Sequence, residues 1–261
     1  MRWADETGST NADALALARQ GAPEGIVLVA DHQTAGRGRQ GRTWEAPAAA
    51  SLLVSVLLRP PAEVAGLVTM AVSVAAATAV HQVAGFAPRI KWPNDLVWPG
   101  DGSAPDRKLG GVLAEADWPA RSPADAGWSP PPPDERVVVV VGMGLNINWP
   151  DALPDELRDI AIAANHVAGR TLDREAVLIA FLEALSAGYT ELVQQRGESR
   201  LFADWRERSA TLGNRVRVDL GANDVTGTAV DITAEGHLVL LTDEGDRRTI
   251  AVGDVVHLRP L

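Results

Sequence analysis

Apolar runs and glycine-punctuated polar stretches alternate along this chain, and their lengths and periods predict its elements. Residues 12–20 are rich in Ala and Leu and predict a short helix, with Ser9 or Thr10 as N-cap, Asp13 in the first turn and Gly21 as its stop. Residues 26–30 form a continuous apolar run that predicts a buried strand, and residues 51–58 predict the next one, ended by Pro60 and Pro61. Residues 63–83, closed by Gly85, have the length and small-residue content of a buried helix. Ile90-Lys91-Trp92 reads as a strand end broken by Pro93, and residues 109–115 and 137–148 predict two adjacent buried strands. Residues 173–196 predict a helix with Asp173 as N-cap and Gly197 as stop, and residues 200–208 continue helical.

From Thr211 the texture changes. Residues 215–220, 225–232, 237–241, 247–252 and 255–258 are short alternating runs between Gly and Asp turns, the pattern of a small antiparallel barrel. The expected division is residues 1–209 and residues 210–261. Residues 116–136 carry Pro130-Pro131-Pro132-Pro133 and lack periodicity, so they are expected to be an exposed insertion at a hairpin tip without chemistry of its own.

Composition narrows the function. The 261 residues contain no cysteine, which removes disulfide scaffolds and thiol nucleophiles and suits a reducing compartment. A formal charge of -10 disfavours a general binder of nucleic acid or membrane surface, and the barrel itself carries five arginines against eight carboxylates. The longest apolar stretches, near residues 67–80 and 137–145, fall short of the roughly 20 residues of a membrane span. The acidic, polar opening shows no secretory signal, so the protein is expected to be cytoplasmic. Only Lys91 and Lys108 are lysines among 24 basic residues. A coding bias explains the depletion, yet an ammonium and a guanidinium differ in shape and hydration, so the two that remain are candidate site residues.

Four segments carry candidate chemistry. Gly36-Arg37-Gly38-Arg39-Gln40-Gly41-Arg42-Thr43-Trp44 concentrates glycines, whose backbone can approach an anion, with arginines whose forks match carboxylate and phosphate oxygens. The alternative is a plain solvated turn, and Trp44 either stacks a base or packs. Lys91-Trp92-Pro93-Asn94-Asp95 gathers a cation, an amide and a carboxylate at a strand end; Asp95 could hold a metal or orient a nucleophile, or Asn94 and Asp95 could simply bond their own backbone. Lys108 precedes Gly110-Gly111, and Gly142-Met143-Gly144 repeats the paired-glycine theme, where a ligand or another backbone lies close to a strand. No catalytic triad order, paired-His metal spacing or Walker loop occurs, so His32, His81, His166, His237 and His257 read as structural or surface residues. Together the segments define an anion pocket without a covalent nucleophile, suited to phosphoryl or nucleotidyl transfer.

These segments, with Ser9-Thr10-Asn11 ahead of them, Arg107-Lys108-Leu109-Gly110-Gly111 in the middle and Gly144-Leu145-Asn146 at the end, resemble in order the motif set of biotin protein ligases, over nearly the whole chain. The resemblance implies an α+β fold: a mixed sheet flanked by helices, related to class II aminoacyl-tRNA synthetases, with an SH3-like β-barrel at the C-terminus. It implies a ligase that joins biotin and ATP into biotinyl-5'-AMP and transfers biotin to a lysine of a biotin carboxyl carrier domain. Ser9, Thr10, Asn11 and Gln33 would meet the biotin rings. Gly36, Gly111, Val112, Leu113 and Gly142 would lie along its ring and chain. Arg37, Arg39 and Lys108 would hold the carboxylate and the adenylate phosphate. Arg42, Trp44, Asn94, Asp95 and Asn146 would face ATP, with Trp44 stacked on adenine and Asn146 reading its edge. By the same resemblance Lys91 and Asp95 would belong at the nucleotide and metal side, Mg²⁺ arriving on the ATP phosphates with Asp95 as a candidate contact, and Asp95 would help to deprotonate the acceptor lysine.

Many bacterial relatives carry an N-terminal helix-turn-helix ahead of these motifs; the present sequence is expected to lack it and to have no repressor function. The arginine loop is expected to order only when a ligand neutralises it. Oligomeric state is open between monomer and homodimer. The rivals are a lipoyl or octanoyl ligase or transferase of the same fold and a non-catalytic biotin or nucleotide sensor, with a nucleic-acid binder the weakest.

Overall fold

The computed structural model describes residues 1–100, 105–117, 131–150, 153–195, 200–221 and 224–258. In chain order its elements are β1 (Arg2–Thr7), α1 (Thr10–Arg19), β2 (Val27–Gln33), β3 (Ser51–Leu58), α2 (Val68–Ala84), β4 (Arg89–Lys91), β5 (Asp95–Trp98), β6 (Arg107–Asp117) and β7 (Val138–Asn146). There follow α3 (Ala164–Ala168), α4 (Arg174–Gln195), α5 (Arg200–Arg208), β8 (Arg215–Asp219), β9 (Asp224–Ile232), β10 (Leu238–Thr242), β11 (Arg247–Ile250) and β12 (Asp254–His257). The first seven strands form one sheet in the order β1-β2-β3-β7-β6-β5-β4, parallel at β1–β2 and antiparallel elsewhere. The last five form an antiparallel sheet, β11-β10-β9-β8-β12. This is the expected mixed sheet with helices and a small all-β module, and the strands of residues 109–115 and 137–148 are neighbours as expected.

Every residue of β3 is buried, because helices cover both faces of the central sheet. On one face Ala14 and Ala18 of α1 pack on Leu28, Leu57 and Val140. On the other, Val72 and Ala76 of α2 and Phe181 of α4 join Val54, Val139 and Val141 in the main core. Ser9 caps α1 by accepting from the Ala12 N–H, and Asp173 caps α4 by accepting from the N–H groups of Glu175 (2.8 Å) and Ala176 (3.2 Å). Gly85 closes α2 at φ +81°, a conformation that favours glycine.

Three elements differ from expectation. The segment at 63–83 begins as a 3₁₀ turn, Ala62–Leu67, before α2 starts, with the first N–H groups, those of Ala62 and Glu63, donating to the carbonyls of Glu135 and Pro133. β1 is an additional edge strand; its polar, exposed sequence gave no apolar pattern to read. β5 is likewise additional, starting directly after the Lys91–Asn94 turn. Two helical segments exceed the length read from the apolar runs: Ala62–Ala84 has 23 residues, with a most apolar 18-residue window of mean hydropathy 1.8, and Arg174–Gln194 has 21, with one of 1.5. The first is a core helix, 78% of its most apolar window being buried in the fold, whereas the second buries 33%. Residues 118–130 of the proline-rich segment and the stop expected at Gly197 lie outside the described residues.

The two sheets meet at the strand end that carries the Lys91–Asp95 motif. Buried Trp92 donates its backbone N–H to Thr211 Oγ1 (2.9 Å) and its indole N–H to the Gly236 carbonyl (3.0 Å). Ala210 N–H donates to the Ile90 carbonyl at 2.8 Å, and His257 Nδ1 lies 3.0 Å from Asp106 Oδ2. The His257 ring, followed by the backbone N–H of Gly100, holds the Asp106 carboxyl below its ordinary range against the opposing effect of burial.

Candidate active site

Residues 36–44 fold back on themselves as a hairpin. Trp44 N–H donates to the Gly36 carbonyl (3.0 Å), Arg37 bridges Thr43, and Gly38 N–H donates to the Arg42 carbonyl (2.7 Å). Gln40 turns the tip at φ +56°. A side chain at Gly36 would put its Cβ 2.4 Å from the Trp44 carbonyl oxygen, so the close base of this hairpin requires glycine. The tip reaches the small β module: Arg39 Nη1 lies 3.4 Å from Asp254 Oδ1 and 3.2 Å from Asn94 Oδ1, and Arg42 pairs with the other Asp254 oxygen. Arg37 pairs instead with Glu115, at 3.1 Å. Protein carboxylates therefore supply neutralisation that was expected from a ligand alone.

Beneath the hairpin lies a cavity of about 400 Å³ with two chemically different ends. One end is built of neutral hydrogen-bonding groups. Gln33 Oε1, at the end of β2, accepts from the Thr10 backbone N–H (2.8 Å) and lies 3.0 Å from its hydroxyl. Ser55 Oγ, fully buried on β3, is 2.7 Å from Thr10 Oγ1 and 2.6 Å from Asn11 Oδ1. Asn11 Nδ2 donates to the Leu113 carbonyl (3.2 Å) and to Glu115 Oε2 (2.9 Å). Opposite, a Cβ at Gly142 would fall 2.1 Å from Asn11 Oδ1, so the amide lies directly on the strand backbone.

The other end is ionic. A bulge between Leu96 and Val97 pairs Leu96 with Gly110 but Val97 with Lys108, leaving Leu109 without a partner on β5. That extra residue turns Lys108 to the face of Gly111, which alternation alone would deny it. Lys108 Nζ then sits 2.7 Å from Asp95 Oδ1 and 5.7 Å from the centroid of the Trp44 ring. Asn94 does not close an Asx turn; its Nδ2 donates to the Val112 carbonyl (2.7 Å) and its Oδ1 accepts from Arg39. Trp44 lies against Gly144, where a Cβ would meet the indole at 2.5 Å, and its Nε1 is buried without a partner among the described residues.

The cavity wall thus brings together Ser9, Thr10, Asn11, Gln33, Arg37, Arg39, Arg42, Trp44, Lys91, Asn94, Asp95, Lys108, Gly111, Val112, Leu113 and Gly142. Gly36 stands behind it, facing a second groove on the far side of the hairpin. Asn146 is not on the wall: it is buried, accepting from Ser51 Oγ (3.2 Å) and donating to the Ile162 carbonyl (3.2 Å). Sequence reasoning missed Asp254 and, from β8, Arg217 and Asp219, which also line the cavity, and Ser55 and Glu115, which stand behind the wall as partners of Thr10, Asn11 and Arg37. Asp254 and Asp219 had counted only as bulk negative charge of the barrel. No group of three or more His, Asp or Glu side chains that could hold a metal occurs among the described residues.

Residues 4–120 match the Biotin/lipoate A/B protein ligase family, and residues 211–258 match the Biotin protein ligase C terminal domain. A Mycobacterium tuberculosis protein named biotin--[acetyl-CoA-carboxylase] ligase is 38% identical over 264 residues, covering 97% of this chain and 87% of that protein. The bifunctional ligase/repressor BirA of Bacillus subtilis is 32% identical, over 94% of this chain and 70% of its own. The biotin protein ligase from Aquifex aeolicus, solved in complex with biotin and ATP, superposes with a TM-score of 0.76 at 27% identity, covering 99% of this chain and 98% of that one. The chain belongs to the Biotin/lipoate A/B protein ligase family, in its biotin protein ligase branch.

Proposed function

We propose that the cavity condenses biotin with ATP to give biotinyl-5'-AMP and pyrophosphate, and then passes the biotinyl group to one lysine of a biotin carboxyl carrier domain. The observation that carries this reading is the continuity of a neutral amide-and-hydroxyl end, around Thr10, Asn11 and Gln33, with an ionic end around Lys108 and Arg39 in a single cavity. A cyclic urea needs the first, and a carboxylate meeting a phosphate needs the second. The match of residues 211–258 to the biotin ligase C-terminal domain favours biotin over lipoate.

In this reading Ser9, Thr10, Asn11 and Gln33 hold the ring system, with Gly36 shaping the hairpin over it and Gly111, Val112, Leu113 and Gly142 flanking ring and chain. The biotin carboxylate attacks the α-phosphorus, pyrophosphate leaves, and a mixed anhydride forms. Two anions must approach each other, so Lys108, Arg39 and Arg37 act by offsetting their repulsion in a partly desolvated site. Trp44 stacks on adenine; Arg42, Asn94 and Lys91 line the phosphate side. Asn146, engaged with Ser51 and Ile162, acts on adenine only if that pairing opens. In the second step the acceptor amine attacks the acyl carbon and AMP leaves, and Asp95 takes the ammonium proton.

Magnesium fits this wall as an ion carried by the phosphates, with Asp95 one of the carboxylates that line it, since Mg²⁺ commonly keeps its waters and takes one or two protein carboxylates. It would supply charge neutralisation on the phosphate oxygens. We further propose that residues 1–209 and 210–261 are two domains sharing this cavity, acting in the cytoplasm as monomer or homodimer. Pyrophosphate release that requires both biotin and ATP is the expected result; release driven by octanoate instead would favour the lipoyl branch, and no release would favour a sensor.

A further inference from the structure

Glu115 holds two walls of the cavity at once. Its Oε2 accepts from Asn11 Nδ2 at 2.9 Å, and its Oε1 lies 3.1 Å from Arg37 Nη1. An ionised carboxylate accepts hydrogen bonds and cannot donate them. Beside Glu115 only the NH₂ end of the Asn11 amide is therefore tolerated, and the Leu113 carbonyl takes its other hydrogen at 3.2 Å. Oδ1 is thereby forced towards Gly142 and Ser55, so that Asn11 presents an acceptor at the neutral end of the cavity. The same carboxylate ties down Arg37 at the base of the hairpin whose tip carries Arg39 and Arg42.

Resting on the biotin ligase reading above, we infer that Glu115 is a positioning residue for the ring-binding step. It selects a ligand ring with an N–H donor by fixing the polarity of Asn11, and it couples occupancy of that end to the position of the arginine hairpin. An amide in its place weakens both effects. Glutamine can donate as well as accept, so of the two acceptors that orient the Asn11 amide only the Leu113 carbonyl remains obligate, and the neutral group no longer holds the Arg37 guanidinium.

The test compares wild type with E115Q, R37Q and the double variant, measuring direct biotin binding, biotin dissociation rate, KM for each substrate, kcat and melting temperature. E115Q is expected to raise the biotin Kd and KM about tenfold, mostly through faster dissociation, with KM for ATP and kcat at saturating biotin within about threefold of wild type. The double variant is expected to lose less than the sum of the single variants, because one contact is shared. Should E115Q melt early, E115D carries the same expectation for dissociation, since the shorter carboxylate cannot span both Asn11 and Arg37. Biotin binding in E115Q, or in E115D where E115Q melts early, equal to wild type, or an equal loss for ATP in that variant, overturns the inference. Adenylate formation by the wild-type enzyme separates that failure from failure of the ligase reading itself.

Discussion

Arg39 and Asp254 stand 215 positions apart in sequence and 3.4 Å apart in space, an ion pair that brings the small β module into the wall of the cavity beneath the arginine hairpin. Arg42 shares the same carboxylate, and the Gly253 carbonyl accepts a further contact from Arg39. The arginine hairpin is therefore held at its tip by Asp254 and at its base by Glu115.

Removing Asp254 frees the tip. D254N is expected to speed trypsin cleavage within residues 36–44 several-fold without added ligand, and biotin plus ATP is expected to restore protection. Cleavage at the wild-type rate, followed by mass spectrometry of the fragments, would contradict this.

Lys108 is held by Asp95 at 2.7 Å and faces the Trp44 ring, a position a guanidinium fork does not reproduce. K108A is expected to slow biotinyl-5'-AMP formation by roughly 100-fold or more, on the scale of losing one preorganised charge donor. K108R is expected to recover little of that. Single-turnover adenylate formation within threefold of wild type for K108A would remove Lys108 from its assigned role.

At Gly142 the strand backbone lies against Asn11, and a methyl group would sit 2.1 Å from Oδ1. Asn11 has little room to yield because Leu113, Glu115 and Ser55 already fix it. G142A is expected to raise KM for biotin about tenfold or more while circular dichroism stays unchanged. An unaltered biotin KM would mean that the ring end lies elsewhere.

Much of this site could be read from the sequence because the groups that bring charge or close backbone approach come from uncommon residues at short spacing. Gly36 to Trp44 declared itself by arginines between glycines, and Lys108 by its rarity and by the glycines after it. Other parts were silent for physical reasons. The β6 bulge that aims Lys108 depends on pairing with β5, a strand hidden behind the Lys91–Asn94 turn. Ser55 sits in an apolar run, with no sequence signal to set it apart from the strand around it. Glu115 and Asp254 are ordinary carboxylates until tertiary structure puts an arginine beside each. Asn146, by contrast, was conspicuous in sequence, yet its amide is spent on Ser51 and Ile162.

The junction between the sheets has its own pH signature. Asp106 faces His257 of β12, and its carboxyl is held below its ordinary value of 3.8 chiefly by that ring. A lowered carboxyl favours the folded state above the unfolded value, and the benefit fades as pH falls through the folded one. D106N is thus expected to lower stability by about 1 kcal/mol at pH 7, with the difference from wild type vanishing in acid well below pH 4. Thermal unfolding of both proteins at the two pH values measures it; a difference that persists in acid would rule out the ionised Asp106 carboxylate as its source.

The central claim is that one cavity joins a vitamin carboxylate to a nucleotide and hands the acyl group to a protein lysine. Incubating the chain with biotin, ATP, Mg²⁺ and a biotin carboxyl carrier domain, and weighing the carrier by intact-protein mass spectrometry, tests it directly. A carrier heavier by one biotinyl group on a single lysine is expected, with AMP and pyrophosphate formed in step. A carrier of unchanged mass while the folded enzyme and both substrates are present would contradict it.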